Sequence, residues 1–211
     1  MKPSVTVVDY GMGNLLSVNR ALEHCGAQVT LESSPLFIAK AKTLVLPGVG
    51  AFGDGMVELH QRGLVEALRS YAAGGRPMLG ICLGMQMLLD GSDEFGASTG
   101  LGLVPGWVRK LPEQPGIKLP HIGWSAIRPP QGTSWEGSLL ENVPAGQEMY
   151  FVHSFHADPT DPAHRLAETR YGDYAFCSAV RKDNITGCQF HPEKSGEAGL
   201  GMIRNFLKQA N

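Results

Sequence analysis

Apolar residues follow two rhythms along this chain, and the rhythm changes after Asp90. In the first part, short apolar runs alternate with stretches of helical spacing. Val5-Thr6-Val7-Val8-Asp9 is predicted to be a buried strand, and Tyr10-Gly11-Met12-Gly13-Asn14 the turn after it. Leu15, Val18, Leu22 and Cys25 recur at helical spacing up to Gly26, which ends the helix. Ala27 to Glu32 is the second strand, and Pro35 to Lys40 a short helix. Thr43-Leu44-Val45-Leu46 is the third strand, running into Pro47-Gly48-Val49-Gly50-Ala51-Phe52-Gly53. One helical segment follows, with Leu59, Leu64, Leu68 and Tyr71 as its inner face. A fourth strand opens at Arg76-Pro77 and ends at Cys82. Leu83, Met87 and Leu88 then return to helical spacing until Asp90-Gly91-Ser92 stops them.

The second part contains mostly short alternating runs with turn-rich joins. Strands are predicted at Trp107 to Leu111, His121 to Ile127, Glu148 to His153, Leu166 to Tyr171, Tyr174 to Val180 and Ile185 to Phe190. A last helix spans about Glu197 to Gln209, with Ser195 as candidate cap and Leu200, Ile203, Phe206 and Leu207 on its apolar side. Strands alternating with helices argue for an α/β fold with a mostly parallel, doubly wound sheet flanked by helices. The later strands are expected as antiparallel additions in the C-terminal half.

Composition narrows the function classes. The 211 residues suit one sizeable domain, here 1-211. A net charge of −2 offers no electrostatic footprint for nucleic acid or an acidic membrane. No apolar run approaches a membrane span, and Met1-Lys2-Pro3-Ser4 leads into a strand without the pattern of a signal peptide. Cys25, Cys82, Cys177 and Cys188 form no CxxC and no disulfide framework, so a reduced, cytoplasmic setting is expected.

The chemistry concentrates at two places. Gly80-Ile81-Cys82-Leu83-Gly84 places a cysteine at a strand-to-helix join with glycines two positions to either side. A nucleophile in such a turn is held in strained backbone, and the glycines remove collisions there. The following helix would lend its N-terminal dipole to a thiolate or a developing oxyanion. A buried structural cysteine is the alternative. Cys25, Cys177 and Cys188 are expected to fill core. The second place is His191-Pro192-Glu193, after an apolar run. In extended chain, His191 and Glu193 project to one side, and a carboxylate there would orient the imidazole. Cys82, His191 and Glu193 together make a nucleophile, a base and an orienting acid.

Two other patterns lead nowhere. Gly48-Val49-Gly50-Ala51-Phe52-Gly53 matches GxGxxG, but it follows the third strand and lacks the acidic residue of a dinucleotide site. A loop offering backbone N–H groups to an anion or oxyanion is the other functional reading. His153-Ser154-Phe155-His156 has no supporting ligands, so no metal is expected, and no cofactor either.

These motifs together resemble the class I glutamine amidotransferases that use a Cys-His-Glu triad, over nearly the whole chain. Gly80 to Gln86 resembles their nucleophile elbow, and Gln189 to Ser195 their His/Glu segment. Asp9 to Leu15, Leu46 to Phe52, Tyr150 to Phe155 and His121-Ile122-Gly123-Trp124 are similar to the glutaminases that serve histidine biosynthesis. Ser125 departs from the Asn usual there. The resemblance implies that Cys82 attacks the side-chain amide of glutamine, that His191 moves the protons and that Glu193 orients His191. It implies an oxyanion site from Leu83 and the Val49-Gly50 region. Gln86 would hold substrate, with Tyr150, His153 and Ser154 nearby. It also implies a heterodimer with a (β/α)8 cyclase subunit that receives the ammonia. A different hydrolase with the same triad and a binding module without catalysis are the rival readings.

Overall fold

A computed structural model describes residues 2–209. The chain runs through β1 (Ser4–Val8), α1 (Leu15–His24), β2 (Gln28–Glu32), α2 (Pro35–Ile38) and β3 (Leu44–Gly48). It continues through α3 (Phe52–Gln61), α4 (Leu64–Ala73), β4 (Met78–Cys82) and α5 (Leu83–Met87). Then come β5 (Gly91–Ser92), β6 (Ser98–Thr99), β7 (Gly106–Lys110), β8 (His121–Arg128), β9 (Glu148–His153) and β10 (Phe155–Pro159). The chain closes with β11 (Arg165–Tyr171), β12 (Tyr174–Lys182), β13 (Ile185–Cys188) and α6 (Gly196–Gln209).

The sheet runs in the order β2-β1-β3-β4-β13-β12-β10-β7-β5-β6. From β2 to β13 every pairing is parallel. Beyond β13 the strands turn antiparallel, through β12, β10 and β7. β11 and β8 leave β12 as a branch that carries β9. A mostly parallel core with antiparallel strands added in the C-terminal half is therefore the architecture found.

The parallel strands alternate their side chains between two cores. Val5, Val7 and Val45 face α1 and α6, while Val8, Leu44 and Leu46 face α3 and α4. Burial of both faces explains why these strands read as continuous apolar runs. α1 is capped by Asn14, whose side chain accepts from the Ser17 N–H at 3.4 Å. It packs Val18, Ala21 and Leu22 inward.

Three expectations are corrected here. The single helix predicted after Gly53 is two helices, α3 and α4, separated at Gly63, whose φ of +67° no α-helix continues through. The five-residue step from Leu59 to Leu64 already departs from helical spacing. β10 was absent from the predicted strands: the chain breaks at Ser154, so β9 pairs with β8 while β10 pairs with β7 and β12. The very short β5 and β6 also escaped the pattern, as two residues carry no period. Ser195 does not use its side chain to cap α6. Its hydroxyl accepts from the Tyr150 N–H at 3.0 Å and donates to the His191 carbonyl at 2.6 Å.

Candidate active site

The site lies at the carboxyl ends of β3, β4 and β13, where open α/β sheets place their clefts. Cys82 closes β4 with φ +54° and ψ −112°, a backbone state rare for a side-chain-bearing residue. Strain of this kind costs about 1–3 kcal/mol and persists only where the surroundings impose it. The glycines provide that fit. A Cβ on Gly80 would lie 2.8 Å from the Gly84 carbonyl oxygen, and one on Gly84 would lie 1.8 Å from the Leu46 carbonyl oxygen. α5 is only five residues long, so its dipole is smaller than the sequence suggested. What it offers is unsatisfied N–H groups in its first turn, beginning with Leu83.

Register brings the second loop to the nucleophile. β3 and β4 pair in parallel with Gly48 beside Cys82, so Val49 and Gly50 line the same cavity as the sulfur. Gly48 has no room for a Cβ, which would meet the Tyr10 hydroxyl at 2.5 Å and the Gly84 nitrogen at 2.9 Å. Gly50 adopts φ +105°, which glycine supplies without cost. In this GxGxxG, Gly48 thus serves close packing beside Cys82 and Gly50 a positive φ, while a Cβ on Gly53 would meet only the Ser98 hydroxyl at 3.4 Å.

His191 is extended, with φ −99° and ψ 97°, but Pro192 to Lys194 form a 3-10 turn and not the extended chain predicted. The turn still brings Glu193 back, and its Oε1 lies 2.8 Å from His191 Nδ1. Both side chains are buried, at 3% and 1% exposure. The segment is pinned to β9, because the His191 N–H donates to the Tyr150 carbonyl at 2.9 Å. Burial works against a charged imidazole, yet closeness to Cys82 and the bond to Glu193 raise the pKa of His191 above its ordinary value. A buried carboxylate beside it makes the same demand, since an unpaired charge there would be costly. His191 Nε2 is buried without a hydrogen-bond partner, and so is free to serve a reacting group.

One cavity gathers Val49, Gly50, Cys82, Leu83, Gln86, His153, Ser154 and His191 of the predicted set. Glu193 stands behind His191 and outside the lining. Tyr150 does not line it either. Its ring packs edge-on to Trp124, with centroids 6.0 Å apart, and its backbone holds His191 and Ser195. Cys177 and Cys188 are buried, but Cys25 is half-buried at the end of α1.

Several residues of the site were not foreseen. Glu94 lines the cavity and accepts from the Phe52 N–H at 2.7 Å. Burial raises its carboxyl pKa, against the Phe52 bond, which favours the carboxylate. In sequence nothing singles it out beyond Asp90-Gly91-Ser92. Val152 and Phe155 complete the wall. Gln189 is fully buried, with its amide nitrogen 3.7 Å from Cys82 Sγ. Its place two residues before His191, on the same side of an extended strand, was the available signal.

A polar ladder backs the cavity. His153 Nδ1 donates to the Phe155 carbonyl at 2.9 Å, so its Nε2 must accept, and His121 Nδ1 lies 3.1 Å from it. His121 Nε2 is 2.9 Å from Ser125 Oγ, which donates in turn. The serine found where an Asn is usual therefore keeps a hydrogen bond. Burial lowers the pKa of His153 to about 3 and that of His121 to about 4, so both are neutral imidazoles.

Comparison with known proteins gives the family. Residues 6–210 match the family glutamine amidotransferase class-I. The imidazole glycerol phosphate synthase subunit HisH 1 of Legionella pneumophila (strain Lens) is 48% identical, over 97% of this chain and 99% of the relative. The HisH subunit of Moorella thermoacetica is 45% identical, over 98% of this chain and 94% of the relative. Among solved structures, PurLQS from Thermotoga maritima matches with a TM-score of 0.72 at 20% identity, covering 99% of both chains. A crystal structure of a glutamine amidotransferase matches with a TM-score of 0.75 at 18% identity, covering 97% of this chain and 98% of that one. At those identities the two structures speak for the fold alone. The chain belongs to the class-I glutamine amidotransferases and, within them, to the HisH subunits of imidazole glycerol phosphate synthase.

Proposed function

We propose that this chain hydrolyses glutamine to glutamate and ammonia through Cys82, His191 and Glu193, acting as a single glutamine amidotransferase domain. The ammonia goes to a cyclase subunit in histidine biosynthesis. The observation that carries the site assignment is the strained Cys82 at the floor of a cavity it shares with a buried His191–Glu193 pair.

The side-chain amide of glutamine meets Cys82 Sγ, and the sulfur adds to its carbonyl carbon. N–H groups of Leu83 and of the Val49-Gly50 loop hold the oxyanion. His191 gives its Nε2 proton to the departing nitrogen, so ammonia leaves and a γ-glutamyl thioester remains. His191 then takes a proton from water as it attacks, and glutamate is released. Glu193 keeps His191 in orientation and supports its positive charge. Glu94 supplies a carboxylate for the substrate's α-ammonium. The nitrogen of Gln86 donates to the Phe155 carbonyl and to Gln189 Oε1, which leaves its carbonyl oxygen for substrate.

The partner is a (β/α)8 cyclase that forms a heterodimer with this chain and turns the ammonia into imidazole glycerol phosphate and AICAR. Two exposed apolar residues support a covered surface here. Val49 lines the cavity at 40% exposure, and Phe95, next to Glu94, is 93% exposed. We place the complex in the cytoplasm, in keeping with its free cysteines. No helix among the described residues is long and apolar enough to cross a membrane. The test pairs Cys82→Ala with the cyclase and supplies either glutamine or ammonium. Product from ammonium but not from glutamine is expected. Product from glutamine would remove Cys82 from the mechanism.

A further inference from the structure

Gln189 is 0% exposed, and both ends of its side chain are committed. β13 pairs in parallel with β4, with Cys188 beside Ile81, so one residue further along Gln189 comes beside Cys82. Its Nε2 lies 3.7 Å from Cys82 Sγ. Its Oε1 accepts from Gln86 Nε2 at 3.0 Å.

The orientation of this amide is fixed by its neighbours. The Phe155 carbonyl can only accept, so the Gln86 atom 2.9 Å from it must be the nitrogen. The second proton of that nitrogen faces Gln189, so the atom of Gln189 it meets must be the oxygen. Gln189 therefore presents its N–H₂ to the sulfur. A flipped Gln189 would set two N–H groups against each other and a carbonyl oxygen against Cys82. The anchor extends further, since the same Phe155 carbonyl also accepts from His153 Nδ1 at 2.9 Å. A buried amide held at both ends donates without paying for reorientation during the reaction.

We propose that Gln189 is a positioning residue that donates to the Cys82 sulfur, holding it on the cavity side and favouring its anionic form. This rests on Cys82 being the nucleophile. His191 gives the sulfur a charged neighbour, whereas Gln189 gives it a fixed direction from the opposite strand. The donor also explains why an amide, expensive to bury, stands in full burial two residues before His191.

The experiment follows the rate of Cys82 alkylation by iodoacetamide against pH, beside glutamine turnover, in the complex with its cyclase. Gln189→Glu keeps the acceptor for Gln86 but turns a carboxyl oxygen toward the sulfur. Alkylation near neutral pH is expected to slow by about tenfold, with the pH profile displaced by about one unit to the alkaline side. kcat is expected to fall by a similar factor, with KM changed less. Gln189→Met, close in volume and without a donor, should give the same displacement but smaller. A purely structural role would lower the amount of folded protein and leave the pH midpoint where it is. A folded Gln189→Glu with the wild-type profile would overturn the proposal. A measurement on the wild-type chain needs no substitution: the ¹⁵N resonance of the Gln189 side-chain amide should shift on Cys82 alkylation and track the alkylation midpoint with pH. A resonance that ignores both would also overturn it. Failure of Cys82 as nucleophile is told apart, because Cys82→Ala would then keep turnover.

Discussion

Acid should unfold this protein earlier than its carboxylates alone would dictate, because His121 and His153 are buried as neutral rings. An unfolded histidine titrates near 6.5, whereas in the folded chain these two are lowered to about 4 and about 3. Between those values and 6.5 the unfolded state binds more protons, so stability is fully present above 6.5 and is lost as pH falls toward the folded values. At about pH 5 the unfolded form of each ring is almost fully protonated and the folded form is not, which corresponds to about 2 kcal/mol per fully shielded histidine relative to about pH 7.5. His153 receives that full amount. His121, stacked on Tyr171 at 4.0 Å and Phe151 at 5.0 Å but enclosed by a thinner layer of protein than His153, is assigned about half, for a total of about 3 kcal/mol. Burial lowers His156 in the same direction. The assay is urea unfolding at the two pH values for wild type, His153→Gln and the double variant His121→Gln/His153→Gln. Each variant loses some stability at both pH values, so the readout is the difference between them. That difference should shrink by about 2 kcal/mol in the single variant and about 3 in the double. A double variant that loses as much stability between the two pH values as wild type would refute the reasoning.

Two substitutions separate the roles within the cavity. Glu94→Gln should raise KM for glutamine by about tenfold or more with kcat largely kept, since it removes a charge facing the α-ammonium; steady-state kinetics read the split, and an unchanged KM would put the ammonium elsewhere. Glu193→Gln should lower kcat by about 10²-fold, less than His191→Ala, because it weakens orientation and charge support but leaves nucleophile and base in place; equal losses in the two variants would make Glu193 as indispensable as the base itself.

The sequence carried the parallel half of the fold plainly because strands buried on both faces are uniformly apolar. Leu44 to Leu46 and Met78 to Cys82 have no polar interruption, Val5 to Val8 has only Thr6, and helices sit between them. The antiparallel half was harder. β10 ends in Asp158-Pro159, which looks like a turn, and its pairing with β7 depends on contacts distant in sequence. The break at Gly63 left only the off-period step from Leu59 to Leu64 as a local mark, and since glycine mid-helix is tolerated, its φ of +67° is what decides. For the site, Cys82 and His191 stood out because strained elbows and proline-flanked histidines leave local marks. Glu94 left none, and Gln189 only its place two residues before His191. A carboxylate after a turn and a glutamine in an apolar strand acquire a role only when β4, β13 and the loop after β5 meet in space.

The central claim is that Cys82 carries the γ-glutamyl group. The most direct test is to mix the complex with glutamine, quench with acid within one turnover and weigh the intact chain. A population heavier by one γ-glutamyl group, mapped to the peptide holding Cys82 and absent from Cys82→Ser, is the predicted result. Turnover at full rate with no adduct on that peptide would contradict it.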